Sequence, residues 1–495
     1  MRARHLVLAL GVLLAGCAVG PDFRHPPAPE VKRYTPAPLP AQTASADTAG
    51  GAAQRFAPGA DIPGQWWRLF HSPSLNALVE RTLRANPSLD AARAALRMAQ
   101  EAAAAQGGAS YPQITASLAP SRQRIPDSLS SPLLSGATLF NLHTAQVNVG
   151  YTLDVFGGNR RQVESLDAQA ESQRFQLEAA DLSLTANVVA AAVQEAGLRA
   201  QIAATARMVR INAELLALLR RQLAAGAVAE AAVVAQETAL AQAKAALPPL
   251  QKALAQTRDL LTALVGAYPD RELPQTFDLS QLRLPEQLPL SLPSKLVEQR
   301  PDVRAAEAQA RAASAQVGVA LAATLPQFTL DAGIGSVATR MADLFGSGSG
   351  FWSIAGGVAQ PIFEGGALTH RKRAAEAAYA EAMALYRGTV IAAFQNVADT
   401  LHALETDADA LQAAAAAERA SATSLAIVRR QEELGDTDRL SLLAADLGHE
   451  QALVSLAQAQ ANRFADTAAL FQALGGGWWN RPETAAARQA VESSD

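Results

Sequence analysis

The chain of 495 residues carries one thiol, Cys17, and the residues before it suggest its chemistry. Leu14-Ala15-Gly16 ends in small residues with the sulfur directly behind, the pattern of a bacterial lipoprotein processing site. The expected product is an N-palmitoyl, S-diacylglycerol Cys17, and no other cofactor is expected. A lone cysteine excludes a disulfide within the chain. A second group of reactive side chains surrounds Gly435: Arg430, Glu432, Glu433, Asp436, Asp438, Arg439 and Asp446. Opposite charges this close can pair; on a solvated helix tip each pair is worth only about 0 to 1 kcal/mol. The histidines at positions 5, 25, 71, 143, 370, 402 and 449 are scattered and show no His-Glu-x-x-His spacing. Gly-Ser-Gly-Ser-Gly at 346–350 is neither a nucleophile elbow nor a phosphate loop. No catalytic residue and no metal ligand is therefore expected.

The elements around these residues begin with the amino-terminal segment. Arg2 and Arg4 precede an apolar run from Leu6 to Ala15, too short for a stable membrane span and arranged as a secretory signal. Residues 18–64 are rich in Pro, Ala, Gly, Ser and Thr without apolar periodicity, which reads as an extended tether. The net charge of −4 contains no basic block, so nucleic acid is not an expected partner. Past the signal no stretch approaches eighteen apolar residues, so any membrane crossing has to be made by strands.

The sequence also repeats. Asn86-Pro87-Ser88-Leu89-Asp90-Ala91-Ala92 and Tyr111-Pro112-Gln113-Ile114-Thr115 return as Arg300-Pro301-Asp302-Val303-Arg304-Ala305-Ala306 and Leu325-Pro326-Gln327-Phe328-Thr329, and Gly226 and Gly266 return as Gly435 and Gly475. A unit this long is no short solenoid repeat, so two copies of a half are expected. In each copy the period changes along the chain. Leu75, Leu78, Val79 and Leu83 are spaced for one helix face, with Ser72-Pro73 as a start, Asn86-Pro87 as an interruption and Gly107-Gly108 as a stop. After Pro112 the period becomes two: Ile114, Ala116 and Leu118, then Val147, Val149, Tyr151 and Leu153, alternate with polar or small residues. Phe328, Leu330, Ala332 and Ile334 repeat the pattern, in a hairpin of 39 positions from Pro326 to Gly365 against 45 from Pro112 to Gly157.

Strands of about ten residues match the thickness of a bilayer's hydrocarbon layer when tilted. Four cannot close a membrane barrel, so several chains have to share one. Proline-free, Ala-rich stretches at 159–225 and 367–434 read as helices of about 100 Å, each ended by a glycine. Shorter helices follow at 229–265 and 437–474. The shorter helices are expected to stack end to end beside the long ones. Pro248-Pro249 falls inside one of them, where a kink is expected. Trp66-Trp67 and Trp478-Trp479 sit at the ends of the repeats and could pack together as a collar.

Taken in order, Cys17-Ala18-Val19-Gly20-Pro21-Asp22-Phe23-Arg24-His25-Pro26, Trp66-Trp67-Arg68-Leu69-Phe70, Asn86-Pro87-Ser88-Leu89, Tyr111-Pro112-Gln113, Asp154-Val155-Phe156-Gly157, Arg300-Pro301-Asp302-Val303, Pro326-Gln327, Gln360-Pro361-Ile362-Phe363 and Leu474-Gly475-Gly476-Gly477-Trp478 cover nearly all of the mature chain. Together they resemble the TolC-like outer-membrane efflux protein family, in its lipoprotein branch serving resistance-nodulation-division (RND) pumps. The resemblance implies an α+β membrane protein: a homotrimer whose twelve-stranded outer-membrane β-barrel, four strands per chain, continues into a long periplasmic α-helical barrel. It implies passage of drugs or other toxic small molecules out of the cell, with a periplasmic adaptor protein and an inner-membrane RND pump as partners and the outer membrane as location. It also implies a periplasmic gate at the hairpin turns around Gly226 and Gly435, with Arg430, Glu432, Asp436, Asp438, Arg439 and Asp446 as candidates. Relatives often carry an aspartate nine residues after the second glycine; here Ala444 stands there, so an acidic ring is not assured. A type I-like protein secretion component and a periplasm-spanning structural lipoprotein without a pore remain as alternatives.

The expected organisation is a signal peptide (1–16), a lipidated tether (17–64), an equatorial segment with the first helices (65–110), a first membrane hairpin (111–156) and a first helical-barrel hairpin (157–266). An equatorial linker (267–300), a second-repeat helix (301–324), a second membrane hairpin (325–363), a second helical-barrel hairpin (364–475) and a C-terminal equatorial tail (476–495) follow.

Overall fold

The computed structural model describes residues 18–126, 138–271 and 273–481; the expected signal, Cys17 with its lipid, and residues 482–495 of the tail lie outside the described residues. In chain order the elements are β1 (Arg55–Pro58), α1 (Pro73–Ala85), α2 (Pro87–Gly107), β2 (Gln113–Arg124), β3 (Leu139–Leu153), α3 (Gly158–Ala224) and α4 (Glu230–Leu264). They continue with β4 (Gln287–Leu290), α5 (Pro293–Gln299), α6 (Pro301–Ala322), β5 (Gln327–Ala338), β6 (Gly350–Ala359), α7 (Ala367–Leu434) and α8 (Arg439–Ala473). The long helices start or end within one or two residues of the positions read from glycine, proline and the apolar period. Pro248 and Pro249 stand inside α4, which continues through them. The described residues form two compact units, one drawn from 18–26, 95–126, 138–174 and 305–387, the other from 27–94, 175–271, 273–304 and 388–481.

The first unit holds an antiparallel sheet in the order β2-β3-β5-β6. Its register sorts the residues by face. Ile114, Val149, Ala332 and Ile354 lie in one row and Ala116, Val147, Ile334 and Trp352 in the next; the opposite face carries Thr115, Asn148, Gly333 and Ser353. The apolar face is uncovered: Trp352 is 74% and Ile354 76% exposed. A contiguous apolar surface of this kind marks a membrane or a partner. The sheet is open, with β2 and β6 as its edges. Beside it α3 and α6 approach closely, because the residues between them are small. Ser165 donates its hydroxyl to Ala312 O at 3.0 Å and Ser172 donates to Ala305 O at 3.1 Å, with Ala308, Ala310 and Ala315 buried.

In the second unit Trp66, Phe70, Phe464 and Phe471 are linked by ring contacts, and Ile62, Leu75, Leu78 and Val79 are buried as fully as they are. The two tryptophan pairs do not form a collar with each other by ring contact: Trp66 stacks on Phe471 at 5.3 Å and Trp478 meets Phe175 edge-on at 5.6 Å. Each pair has a phenylalanine closer to hand in its own helical surroundings.

Ser72 caps α1 by accepting from Leu75 N. Asn86 then serves three helices: it ends α1, its Oδ1 accepts from Ser88 N at 2.8 Å at the start of α2, and its Nδ2 donates to Leu264 O at 2.8 Å at the end of α4. Arg300 does the same before α6, donating Nη1 to Ala473 O at 2.9 Å. The shorter helices thus meet end to end, and a side chain at each junction takes up carbonyls that a helix end leaves unpaired.

Residues 18–64 are largely extended, as their composition implies, but the segment 43–58 is fixed in place. β1 pairs in parallel with β4, and the fully buried Gln54 donates Nε2 to Pro285 O and Thr467 Oγ1. Arg463 of α8, also fully buried, donates Nη2 to Thr43 Oγ1 at 2.9 Å and to Ala52 O at 2.9 Å. Polar and backbone groups make this attachment, so no apolar period announces it. Asp407 of α7 belongs to the same cluster. Burial, together with a hydrogen bond to Asp466 and its negative charge, pushes the Asp407 carboxyl up to about 7 against the opposing pull of Arg463.

Candidate functional site

The two helical hairpin tips are built alike at the backbone. At the first, Gly226 has φ +73° and donates to Leu223 O at 2.9 Å, while Ala227 N donates to Gln222 O at 2.8 Å. At the second, Gly435 has φ +80° and donates to Glu432 O at 3.0 Å, while Asp436 N donates to Gln431 O at 2.9 Å. The crossed pair of bonds with a left-handed glycine is the Schellman ending. A Cβ at either glycine would meet nothing within 4 Å, so the backbone angle and not space requires glycine here.

The side chains then distinguish the tips. α4 is preceded by Ala229, which offers no side-chain cap, whereas α8 is preceded by Asp438, whose Oδ1 accepts from Ser441 N at 2.8 Å. That bond from the Ser441 amide, aided by its hydroxyl, holds the Asp438 carboxyl below the usual range. Leu440 joins the tips by packing against both small cores, Ile211-Leu215-Leu443 and Leu216-Leu219-Val233.

Of the charged candidates, Arg439 is the bridging one. It lies 3.7 Å from Glu214 of α3 and 3.7 Å from Glu432 of α7, and so reaches both hairpins. Arg430 pairs within its own helix with Glu433 at 2.9 Å. Asp438 is occupied as a cap. Asp436 is exposed and Asp446 half-buried, and neither has an ion-pair partner among the described residues. Ala444 is exposed.

Four further ion pairs involve residues outside the sequence candidates. Arg220 meets Glu237 at 2.7 Å across the first hairpin. Deeper along the bundle Arg207 meets the buried Glu450 at 2.5 Å. Glu195, almost wholly buried, accepts from Arg199 and Arg258 at 2.8 Å each. Arg199 stands four residues from Glu195 on the same helix face; the other three pairs join separate helices, and no local spacing marks them.

The first unit contributes a second surface. The bases of the strands and the adjoining helix starts line a concavity of about 1140 Å³ that includes Gln113, Thr152, Asp154, Thr329 and Asp331, all polar. Among the described residues no cluster of His, Cys, Asp and Glu is arranged to hold a metal ion, and no helix is long and apolar enough to cross a membrane.

The sequence pattern of the family described as outer membrane efflux protein matches residues 78–267 and 292–476. The chain belongs to this family. As an outer membrane efflux protein it is similar to the probable efflux pump outer membrane protein TtgC of Pseudomonas putida, with 29% identity over 97% of each chain. It is similar to the pyoverdine export outer membrane protein OpmQ of the same species, with 30% identity over 84% of this chain and 89% of that one. The solved structure of the outer-membrane channel OprN superposes with a TM-score of 0.78 at 28% identity, covering 93% of this chain and all of the other. The family is one of transport channels, and the outer membrane is its location.

Proposed function

We propose that this chain is the exit duct of a tripartite efflux system, three copies enclosing one passage that small molecules cross without energy supplied by the duct. The observation that carries this reading is the two-faced open sheet. One face is polar, the other presents Ile114, Trp352 and Ile354 to the outside, and both edges lack a partner among the described residues. In lipid such edges have to be paired, and twelve strands from three chains do so in a closed barrel. The repeated order of a short helix, a strand hairpin, a long helix and a helix of 35 residues supports a duplicated half behind each pair of strands.

The hairpin tips around Gly226 and Gly435 form the gate in this reading. Arg439 holds the tips together, while Arg430, Glu432, Asp436 and Asp446 supply the surrounding charge. Cys17 bears the N-palmitoyl and diacylglycerol chains. A periplasmic adaptor and an inner-membrane RND pump deliver the cargo, which is consistent with the similarity to TtgC, a probable efflux pump outer membrane protein. TtgC and OpmQ are about equally similar to this chain although only one is named for pyoverdine, which supports a duct whose cargo is selected by its partners.

Cysteines placed at facing positions on β2 and β6 test the assembly, since the lipidated Cys17 thiol would be blocked. Cross-linking should give a product of three chains. A ladder ending at two, or no product in the membrane-inserted protein, would refute the shared barrel.

A further inference from the structure

Directly after Cys17 the chain is not free. Val19 N donates to Phe156 O at 3.0 Å. Arg161, on the first turn of α3 and only 6% exposed in its side chain, turns back over the same segment. It donates Nε to Val19 O at 3.1 Å, Nη2 to Gly20 O at 3.5 Å and to Asp22 Oδ1 at 2.6 Å, and Nη1 to Glu164 Oε2 at 2.7 Å. Gly20 has φ +102°, and a Cβ there would lie 2.5 Å from the Cα of Gly318 on α6. A Cβ on Gly157 would lie 2.5 Å from that of Ala18. Asp154 fixes the receiving turn, since its carboxylate accepts from Asn159 N at 3.0 Å and Arg160 N at 2.9 Å.

We infer that Ala18–Asp22 is a latch that fastens the lipid-bearing end of the chain to the turn where β3 passes into α3, with Arg161 as its positioning residue. This rests on the lipidation of Cys17 proposed above. The physical gain is one of effective concentration. Undocked, residues 18–26 would let the acylated end wander by roughly 16 Å, taking about 5.5 Å times the square root of the residue number. Docked, the lipid and the strands approach the bilayer from one fixed point, and insertion of either raises the local concentration of the other. An arginine suits the role because its planar fork serves two backbone carbonyls and two carboxylates at once, which a lysine cannot do.

The test compares full-length wild type, Arg161→Ala and Gly20→Ala with and without Cys17→Ser. Gly20 lies outside every helix and strand, so its variant keeps the test open if Arg161→Ala fails to fold. Hydrogen exchange in phospholipid vesicles should rise at least tenfold at residues 19–24 in both variants, with α6 and the four strands unchanged. The urea-resistant, membrane-integrated fraction should fall about threefold in the lipidated protein and show no further fall in the Cys17→Ser background. Unchanged exchange at 19–24, or an equal loss in both backgrounds, would overturn the latch. Absence of palmitate label from wild-type protein would instead remove the lipidation on which it rests.

Discussion

Replacing Asp407 by Asn should alter how the extended segment 43–54 is held as pH changes. In the folded chain the Asp407 carboxyl titrates at about 7, through burial and the neighbouring Asp466. An ordinary aspartate titrates near 3.9. An acid whose folded value is raised binds more protons folded than unfolded between those limits. The stabilising contribution is therefore complete below about pH 4 and is lost as pH rises through about 7. Taken whole, the difference corresponds to about 4 kcal/mol; because the side chain is only half-buried, solvent screening reduces it to roughly 2 kcal/mol.

Opening of the segment re-exposes the cluster, since Thr43 and Ala52 are held by Arg463 and Ala46 packs on the adjoining Leu411-Ala415-Leu456 core. Hydrogen exchange at Thr43 N, bonded to Gln54 O at 2.9 Å, reports that opening. After correction for intrinsic exchange, wild-type protection should fall about tenfold between pH 4.5 and 7.5, the part of the roughly 2 kcal/mol that is still to be lost above pH 4.5. Asp407→Asn should keep its protection across that range. Equal pH dependence in the two proteins would refute the proton held at this cluster.

Three other outcomes follow from the same geometry. Gly226→Ala and Gly435→Ala should each destabilise their tip by about 1 to 2 kcal/mol, the cost of a left-handed non-glycine residue, read as faster exchange in the flanking turns. Arg439→Glu should raise the conductance of the closed channel in planar bilayers, whereas Asp438→Asn should leave it unchanged, because asparagine also caps a helix. Cys17→Ser should abolish palmitate labelling, and labelled variant protein would end the lipid assignment.

Much of the architecture was legible because local rules coincide with the fold. Glycine and proline punctuate the chain where helices stop and start, so α3 and α7 could be bounded from Gly226, Gly435 and the proline-free runs between. The change of period at Pro112 and Pro326 marked β2 and β5, and the faces assigned by alternation are the faces of the sheet. The tip charges were harder to read. Asp438, three residues before Ser441, carries a local capping signal, and it caps α8. Arg439 finds Glu214 more than two hundred positions away, and helix rotation decides such a meeting. The attachment of residues 43–54 escaped for a different reason. It rests on Gln54, Thr43 and the buried Arg463, whose types point to the surface unless long-range partners are known.

In the proposed function several copies of this chain enclose a water-filled passage through the outer membrane. Single-channel recording of the purified, detergent-extracted protein in a planar phospholipid bilayer tests it most directly. Discrete conductance steps, enlarged by Arg439→Glu, are the expected result. A protein that inserts and is palmitate-labelled but leaves the bilayer electrically silent, with and without that substitution, would contradict the account.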